Sequence, residues 1–205
     1  MRREAIAGAH IGPNAVLQML PPLERRLGSD GLASLLSRAG VARPSGNEMI
    51  EEGDALALHR AVAETLPDEV EAIQSEAGAA TAAYIMAHRI PWQARVALRL
   101  LPAPLAARIL AQAIAQHSWT FAGSADFALF TGPRGRPAAF ELRGNPFALA
   151  GRPCAWHRAV FDTLMRKLAS PRIRVVETAC CGAGAPACRF ELGRSAGSDL
   201  ADGRR

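Results

Sequence analysis

The chain has 205 residues, 49% of them hydrophobic and 21% charged, with a formal net charge of +5. That length and composition fit one globular domain with a sizeable core and exclude a disordered or fibrous chain. The positive balance comes from dispersed arginines, with Lys167 the single lysine, so no basic arm points to nucleic acid and anion binding is left to particular arginines.

In chain order, Arg2 and Arg3 open the sequence, but Glu4, His10 and Asn14 interrupt any apolar core of a signal peptide. Asn14 to Leu27 reads as a helix disturbed by Pro21-Pro22, and Gly31 to Ala39 as a short second helix. Gly40 to Gly53, with Pro44, Ser45, Gly46 and Asn47, reads as a loop, after which Asp54 caps a helix over Ala55 to Thr65. Pro67 opens another helix, with Asp68, Glu69 and Glu71 where acidic groups suit the helix dipole. Val70, Ile73, Ala77, Thr81 and Tyr84 mark its buried face, and Pro91 ends it. Gln93 to Leu101 and Leu105 to His117 are two further helices. Arg95, Arg99 and Arg108 cut this apolar stretch, so no transmembrane helix is expected.

The pattern then shifts to strands. Trp119 to Phe130 reads as a strand bent at Gly123, Gly132 to Gly135 as a turn, and Ala138 to Arg143 as the returning strand. Pro153 starts an amphipathic helix to Leu168, with Trp156, Val160, Leu164 and Leu168 on one face. Arg172 to Thr178 and Cys188 to Leu192 are strands, and a polar tail runs over 194–205. The expected fold is α+β: N-terminal helices over about 1–117, then a mainly antiparallel sheet flanked by helices over about 118–193, together one domain.

The four cysteines, Cys154, Cys180, Cys181 and Cys188, crowd into the last quarter, where a secreted disulfide framework would spread them. Reduced thiols in the cytoplasm are the expectation. Cys154 starts a helix, Glu177 and Cys180 end a strand, and Cys188 starts the next, so the topology can converge four ligands. Three thiolates and a carboxylate in tetrahedral array suit zinc and leave no open position, which makes the site structural. Arg152, Arg174 and Arg189 are candidates to offset its charge. The same spacing can arise among small buried residues, since Cys is common in cores and no CxxC pair is present.

Cys154 with Trp156, the run Glu177-Thr178-Ala179-Cys180, and Cys188-Arg189-Phe190-Glu191-Leu192 resemble the 4-vinyl reductase domain. That domain is shared by bacteriochlorophyll-biosynthesis proteins, aromatic-sensing transcription activators and, more distantly, transport-particle subunits. In the sensing members a Cys, a Glu, a Cys three residues later and a Cys eight beyond bind zinc, and this chain matches all four positions. Cys181 is extra and can stand in for Cys180 if the strand end shifts. Ile11-Gly12-Pro13-Asn14-Ala15 and the Ala-rich helix near Gly78 resemble the bacteriochlorophyll-biosynthesis members most. The resemblance implies a homodimer and a tetrapyrrole-linked role, alongside other enzymes of that biosynthesis and, beyond the cytoplasm, peripheral to the photosynthetic membrane.

Three functions compete: a carrier of a magnesium tetrapyrrole such as divinyl protochlorophyllide or a precursor, an 8-vinyl reductase of such a precursor, and a small-molecule sensor. A reductase needs an electron donor. Gly182-Ala183-Gly184-Ala185-Pro186-Ala187 imitates a dinucleotide loop, but a strand follows it where a helix is required. Adjacent Cys180-Cys181 and Glu177 suit an iron–sulfur cluster poorly. The non-catalytic carrier is the preferred reading. For the tetrapyrrole, Trp92, Trp119, Phe121, Phe127 and Phe130 can line an apolar slot, His88 or His117 can reach the magnesium, and Arg95 and Arg99 can meet a carboxylate. Each of these also has an ordinary role as core or solvated surface.

Overall fold

The computed structural model describes residues 8–194. The Arg2–Arg3 start and the tail beyond Arg194 lie outside the described residues. A short strand β1 (His10–Ile11) pairs antiparallel with β2 (Ile50–Glu51). Between them lie α1 (Asn14–Leu17) and α2 (Leu20–Ala39). Pro21 and Pro22 do not disturb this helix, because they occupy its first turn, where the missing N–H groups have no helical partner to lose. The break falls at Gly28 instead, where φ is +71°.

Helix α3 (Glu52–Thr65) begins two residues before the expected cap at Asp54. The reason is Glu52: its fully buried carboxylate accepts hydrogen bonds from the Ser124 backbone N–H and hydroxyl, which fixes the helix start against a loop 72 residues further along the chain. Helix α4 (Val70–His88) follows, with Val70, Ile73, Ala77, Gly78, Thr81 and Ala82 buried. Tyr84, expected on that face, is half-exposed and stacks on His88 with ring centroids 4.6 Å apart. Then come α5 (Trp92–Leu100) and α6 (Ala103–Gln116).

The main sheet holds β3 (Asp126–Thr131), β4 (Pro137–Arg143), β5 (Ile173–Ala179) and β6 (Ala187–Arg194), all pairs antiparallel, in the order β3-β4-β6-β5. Arg194, assigned above to the tail, closes β6. The strand expected from Trp119 shrinks to β3: Ser118–Thr120 form a 3-10 turn, and Gly123 (φ +59°) lies against Glu52, where a Cβ would collide with the carboxylate. The connection from β4 to β5 is α7 (Ala155–Leu164), continued by a π-helical turn, Met165–Ala169.

Helix α7 organises the core. Phe161 meets Phe121, Phe140 and Phe190 with centroids 4.9–5.4 Å apart, joining helix to sheet. Burying one such ring is worth roughly 2–3 kcal/mol. On its other side α7 packs on the small-residue face of α4. A Cβ at Gly78 would collide with the Trp156 carbonyl oxygen, so the two backbones touch there and only glycine fits.

Candidate metal centre

Four ligand atoms meet at the mouth of the β5–β6 hairpin. Cys154 precedes α7, Glu177 lies in β5, Cys180 follows it, and Cys188 lies in β6. In an unbroken strand residues 177 and 180 would point to opposite faces. The pairing register shifts between Glu177 and Ala179, which reverses the alternation and turns both side chains to one side. Behind them the chain folds tightly: a Cβ at Gly182 would overlap the Leu149 carbonyl oxygen, and Gly184 takes φ +89°. The glycines of this pseudo-dinucleotide loop therefore serve a close approach and a turn.

The Cys154 sulfur lies 3.5 Å from that of Cys180 and 3.3 Å from that of Cys188, and the last two are 3.9 Å apart. All four ligand atoms, the Glu177 carboxylate included, fall within 4.8 Å of one another. A tetrahedron with metal–sulfur bonds of about 2.3 Å has sulfur–sulfur edges of about 3.8 Å, so the spacing suits a tetrahedral cation. Glu177 Oε2 accepts the Cys154 backbone N–H at 2.8 Å, while Oε1 is buried without any partner. An orphaned carboxylate oxygen facing three sulfurs is costly unless a cation takes it. The group fits a metal ion that these four residues would hold.

Electrostatics agree. Hydrogen bonding to Cys180 and Cys188, with burial, pushes the Cys154 thiol far up, and the same bond from Cys154 brings Cys180 down to about 5 and lowers Cys188. Burial, and then the Cys180 charge, raise Glu177 to about 7. The expectation that the helix start favours a Cys154 thiolate is thus corrected: with no cation, Cys154 is the proton holder of the trio. A divalent cation lets all four groups ionise together.

The three offsetting arginines do not reach the centre. Arg152 bonds the Pro67 carbonyl, Arg174 bonds the Pro171 and Ile173 carbonyls, and Arg189 pairs with Glu141 and Glu191. Neutral dipoles take their place. Asn145 Nδ2 donates to the sulfurs of Cys154 (3.3 Å) and Cys188 (3.5 Å), and the Cys181 N–H donates to Cys188 (3.3 Å). Cys181 supplies its backbone, while its own sulfur turns toward the Leu142 carbonyl. Asn145 escaped the sequence reading; its signal is a buried-type position in a Gly-Asn-Pro turn, with its side-chain oxygen holding the Phe147 N–H.

The expected tetrapyrrole contacts do not gather into one slot. Phe121 and Phe127 belong to the aromatic core around Phe161. Phe130 is partly exposed on β3 beneath the Arg189 guanidinium. Trp92 starts α5 and, like Arg99 on that helix, is exposed; Arg95 is half-exposed. Trp119 and His88 are exposed as well. His117 is exposed just after α6, and its Nδ1 bonds the Ala113 carbonyl at 2.8 Å. That bond fixes the proton on Nδ1 and leaves the Nε2 lone pair outward, as an axial metal ligand requires.

Two buried histidines also went unread. His59 Nε2 donates to the Ala15 carbonyl and its Nδ1 accepts from Gln74, while His157 Nε2 donates to the Phe121 carbonyl. Burial lowers both to about 4. His59 sits four residues after Ala55 and three before Val62, helical spacing that marks a buried face.

The sheet with its crossing helix and a three-thiolate, one-carboxylate cluster define a 4-vinyl reductase domain: that family's model matches residues 147–194. The chain is 48% identical over 188 residues to the bacteriochlorophyll synthase 23 kDa chain of Cereibacter sphaeroides, covering 89% of each, and 38% identical over 186 residues to that of Rhodobacter capsulatus, covering 89% of this chain and 86% of that one. This chain belongs to the family of bacteriochlorophyll synthase 23 kDa chains. Among solved structures, an H-NOX protein from S. oneidensis overlays with a TM-score of 0.53 at 11% identity, over 90% of this chain and 99% of that one. An Fe(II) unliganded H-NOX protein from K. algicida overlays with a TM-score of 0.57 at 11% identity, over 93% and 98%. At such identities the likeness is one of fold alone.

Proposed function

We propose that this chain is a zinc-stabilised accessory protein of bacteriochlorophyll biosynthesis that binds or carries a magnesium tetrapyrrole intermediate, divinyl protochlorophyllide or a precursor. The observation that carries the pathway is the 48% identity, over 89% of both chains, with a protein named as a bacteriochlorophyll synthase chain. Zinc is the cation that three thiolates and one carboxylate suit best, and four protein ligands leave it no position for substrate. The metal is therefore structural, and Cys154, Glu177, Cys180 and Cys188 hold it. The homodimer and the single domain over 1–193 belong to the same proposal, and light scattering at micromolar concentration tests the dimer.

For the pigment, His117 is the axial ligand this reading favours over His88, because its outward Nε2 is already oriented and Trp119 stands exposed two residues on. His88 is the weaker choice because its ring leans on Tyr84. The reductase remains the second reading, supported by the domain's name alone. Mixing the purified protein with magnesium divinyl protochlorophyllide should shift the pigment's absorption bands, and His117→Ala should abolish the shift while His88→Ala should not. Adding NADPH should leave the vinyl group intact, since hydride transfer needs a cofactor held against the substrate. Formation of the ethyl product by protein and NADPH alone would restore the reductase, and unchanged spectra on mixing would reject pigment binding.

A further inference from the structure

We propose that the outer faces of α5 and α6 seat the protein on an anionic lipid bilayer. Trp92, Val96 and Leu100 recur every fourth residue along α5 and are 63%, 45% and 80% exposed. Leu105 and Ile109 repeat the pattern on α6 at 44% and 42%. Five large apolar side chains exposed on two consecutive helices form an unusual concentration, given that the same helices bury Leu98, Leu110 and Ile114 on their inner sides. Beside each stripe run cations: Arg95 and Arg99 share one flank of α5, and Arg108 precedes Ile109 on α6.

Charge selects the partner. From Ala77 to Ala125 the sequence has no Asp or Glu, while it carries Arg89, Arg95, Arg99 and Arg108. The element packed against both helices, the turn Met165–Ala169, adds Arg166 and Lys167. Arg166 is answered by Asp162, whose other oxygen accepts the Val175 N–H, so that carboxylate is already committed. A second copy of the chain meeting this face about a two-fold axis would set arginine against arginine with no carboxylate in the patch. An anionic headgroup layer answers the arginines while its acyl boundary takes the tryptophan and leucines, which is how interfacial amphipathic helices bind. No helix among the described residues is long and apolar enough to cross a membrane, so the contact is peripheral.

The test is co-sedimentation of the full chain with vesicles of phosphatidylcholine alone and of phosphatidylcholine mixed with phosphatidylglycerol. The protein should sediment with the mixed vesicles and stay in solution with phosphatidylcholine, and raised salt should release it. The paired variant Arg95→Glu with Arg99→Glu should lower binding about tenfold or more, and Trp92→Ser with Leu100→Ser should do the same. Both pairs should keep the wild-type melting temperature, because the replaced side chains lie on the surface. Absence of wild-type binding to mixed vesicles, or variants that bind as wild type, would overturn the proposal. So would loss of a dimer in the variants without loss of lipid binding, which would assign the face to a second copy. The pigment reading is tested separately: His117→Ala should bind vesicles as wild type, and the arginine pair should bind magnesium divinyl protochlorophyllide as wild type. Loss of pigment binding with vesicle binding intact would assign the face to the pigment and overturn the lipid proposal.

Discussion

Two buried polar clusters flank the start of α7, and they meet the cost of burial by opposite means. Around His59, Gln74 and His157 the ring and amide donors find a carbonyl or ring nitrogen, and the histidines stay neutral. At Cys154, Glu177, Cys180 and Cys188 a carboxylate oxygen is left without a partner and the sulfurs compete for too few protons. The first cluster is complete within the chain. The second is completed by a cation. A buried polar group is thus no guide to function until its partners have been counted.

The largest expected effect separates the two clusters by metal removal. Chelation, or Cys188→Ser, should destabilise the fold by about 5 kcal/mol or more, because metal-binding energy at such a site is folding energy. Metal analysis should find about one zinc per chain and none after chelation, and thermal unfolding followed by circular dichroism should show the loss. Cys181→Ser, which keeps the backbone donor to Cys188, should change stability by no more than about 0.5 kcal/mol. A fully stable metal-free protein would remove the distinction between the clusters.

A pH series probes the neutral cluster. Each histidine has a folded pKa of about 4 against 6.5 when unfolded. Between those values the unfolded chain binds more protons, so stability is complete above pH 6.5 and falls as the pH drops toward 4, by up to about 3 kcal/mol for each histidine. His157→Gln keeps a donor for the Phe121 carbonyl and cannot titrate. Urea unfolding from about pH 7 to about 4.5 should therefore give a shallower slope for this variant than for the wild type, with acid effects on the thiolates common to both. Equal slopes would count against a buried neutral His157.

The smallest effect concerns Asn145, the neutral donor to two sulfurs. Asn145→Ala should cost about 1–2 kcal/mol and leave the metal content near one per chain, as unfolding curves and metal analysis on the same sample would establish. Loss of the metal would promote Asn145 from a supporting donor to a requirement of the site.

Much of this was legible in the residues. Helical spacing marked α4 and α7, and the four ligands were found by type and order, since thiols that gather at strand ends and a helix start leave few other uses. What escaped reading was set by contacts distant in sequence. Glu52 starts α3 early because Ser124 answers its carboxylate, and Trp119 leaves the strand because Gly123 must pass that same side chain. The arginines near the cysteines looked like counter-charges, yet nearby carbonyls and carboxylates claimed them. Sequence proximity ranks charges by distance along the chain, whereas the fold ranks them by distance in space. His59 and His157 were silent because polarity masked their place on buried helical faces.

The contact at Gly78 gives the centre a reach beyond its ligands. Cys154 grips the first residue of α7, and two residues on, the Trp156 carbonyl lies against the α4 backbone with no side chain between to yield. Mechanically, α7 is a beam anchored at one end by the cation and braced at once on its neighbour. Slack at the anchor is delivered to α4, whose far end carries Tyr84 and His88 and leads into α5. Loosening the sulfurs would be felt first at that distant corner, as faster amide exchange along α4 on chelation, before any strand of the sheet gives way.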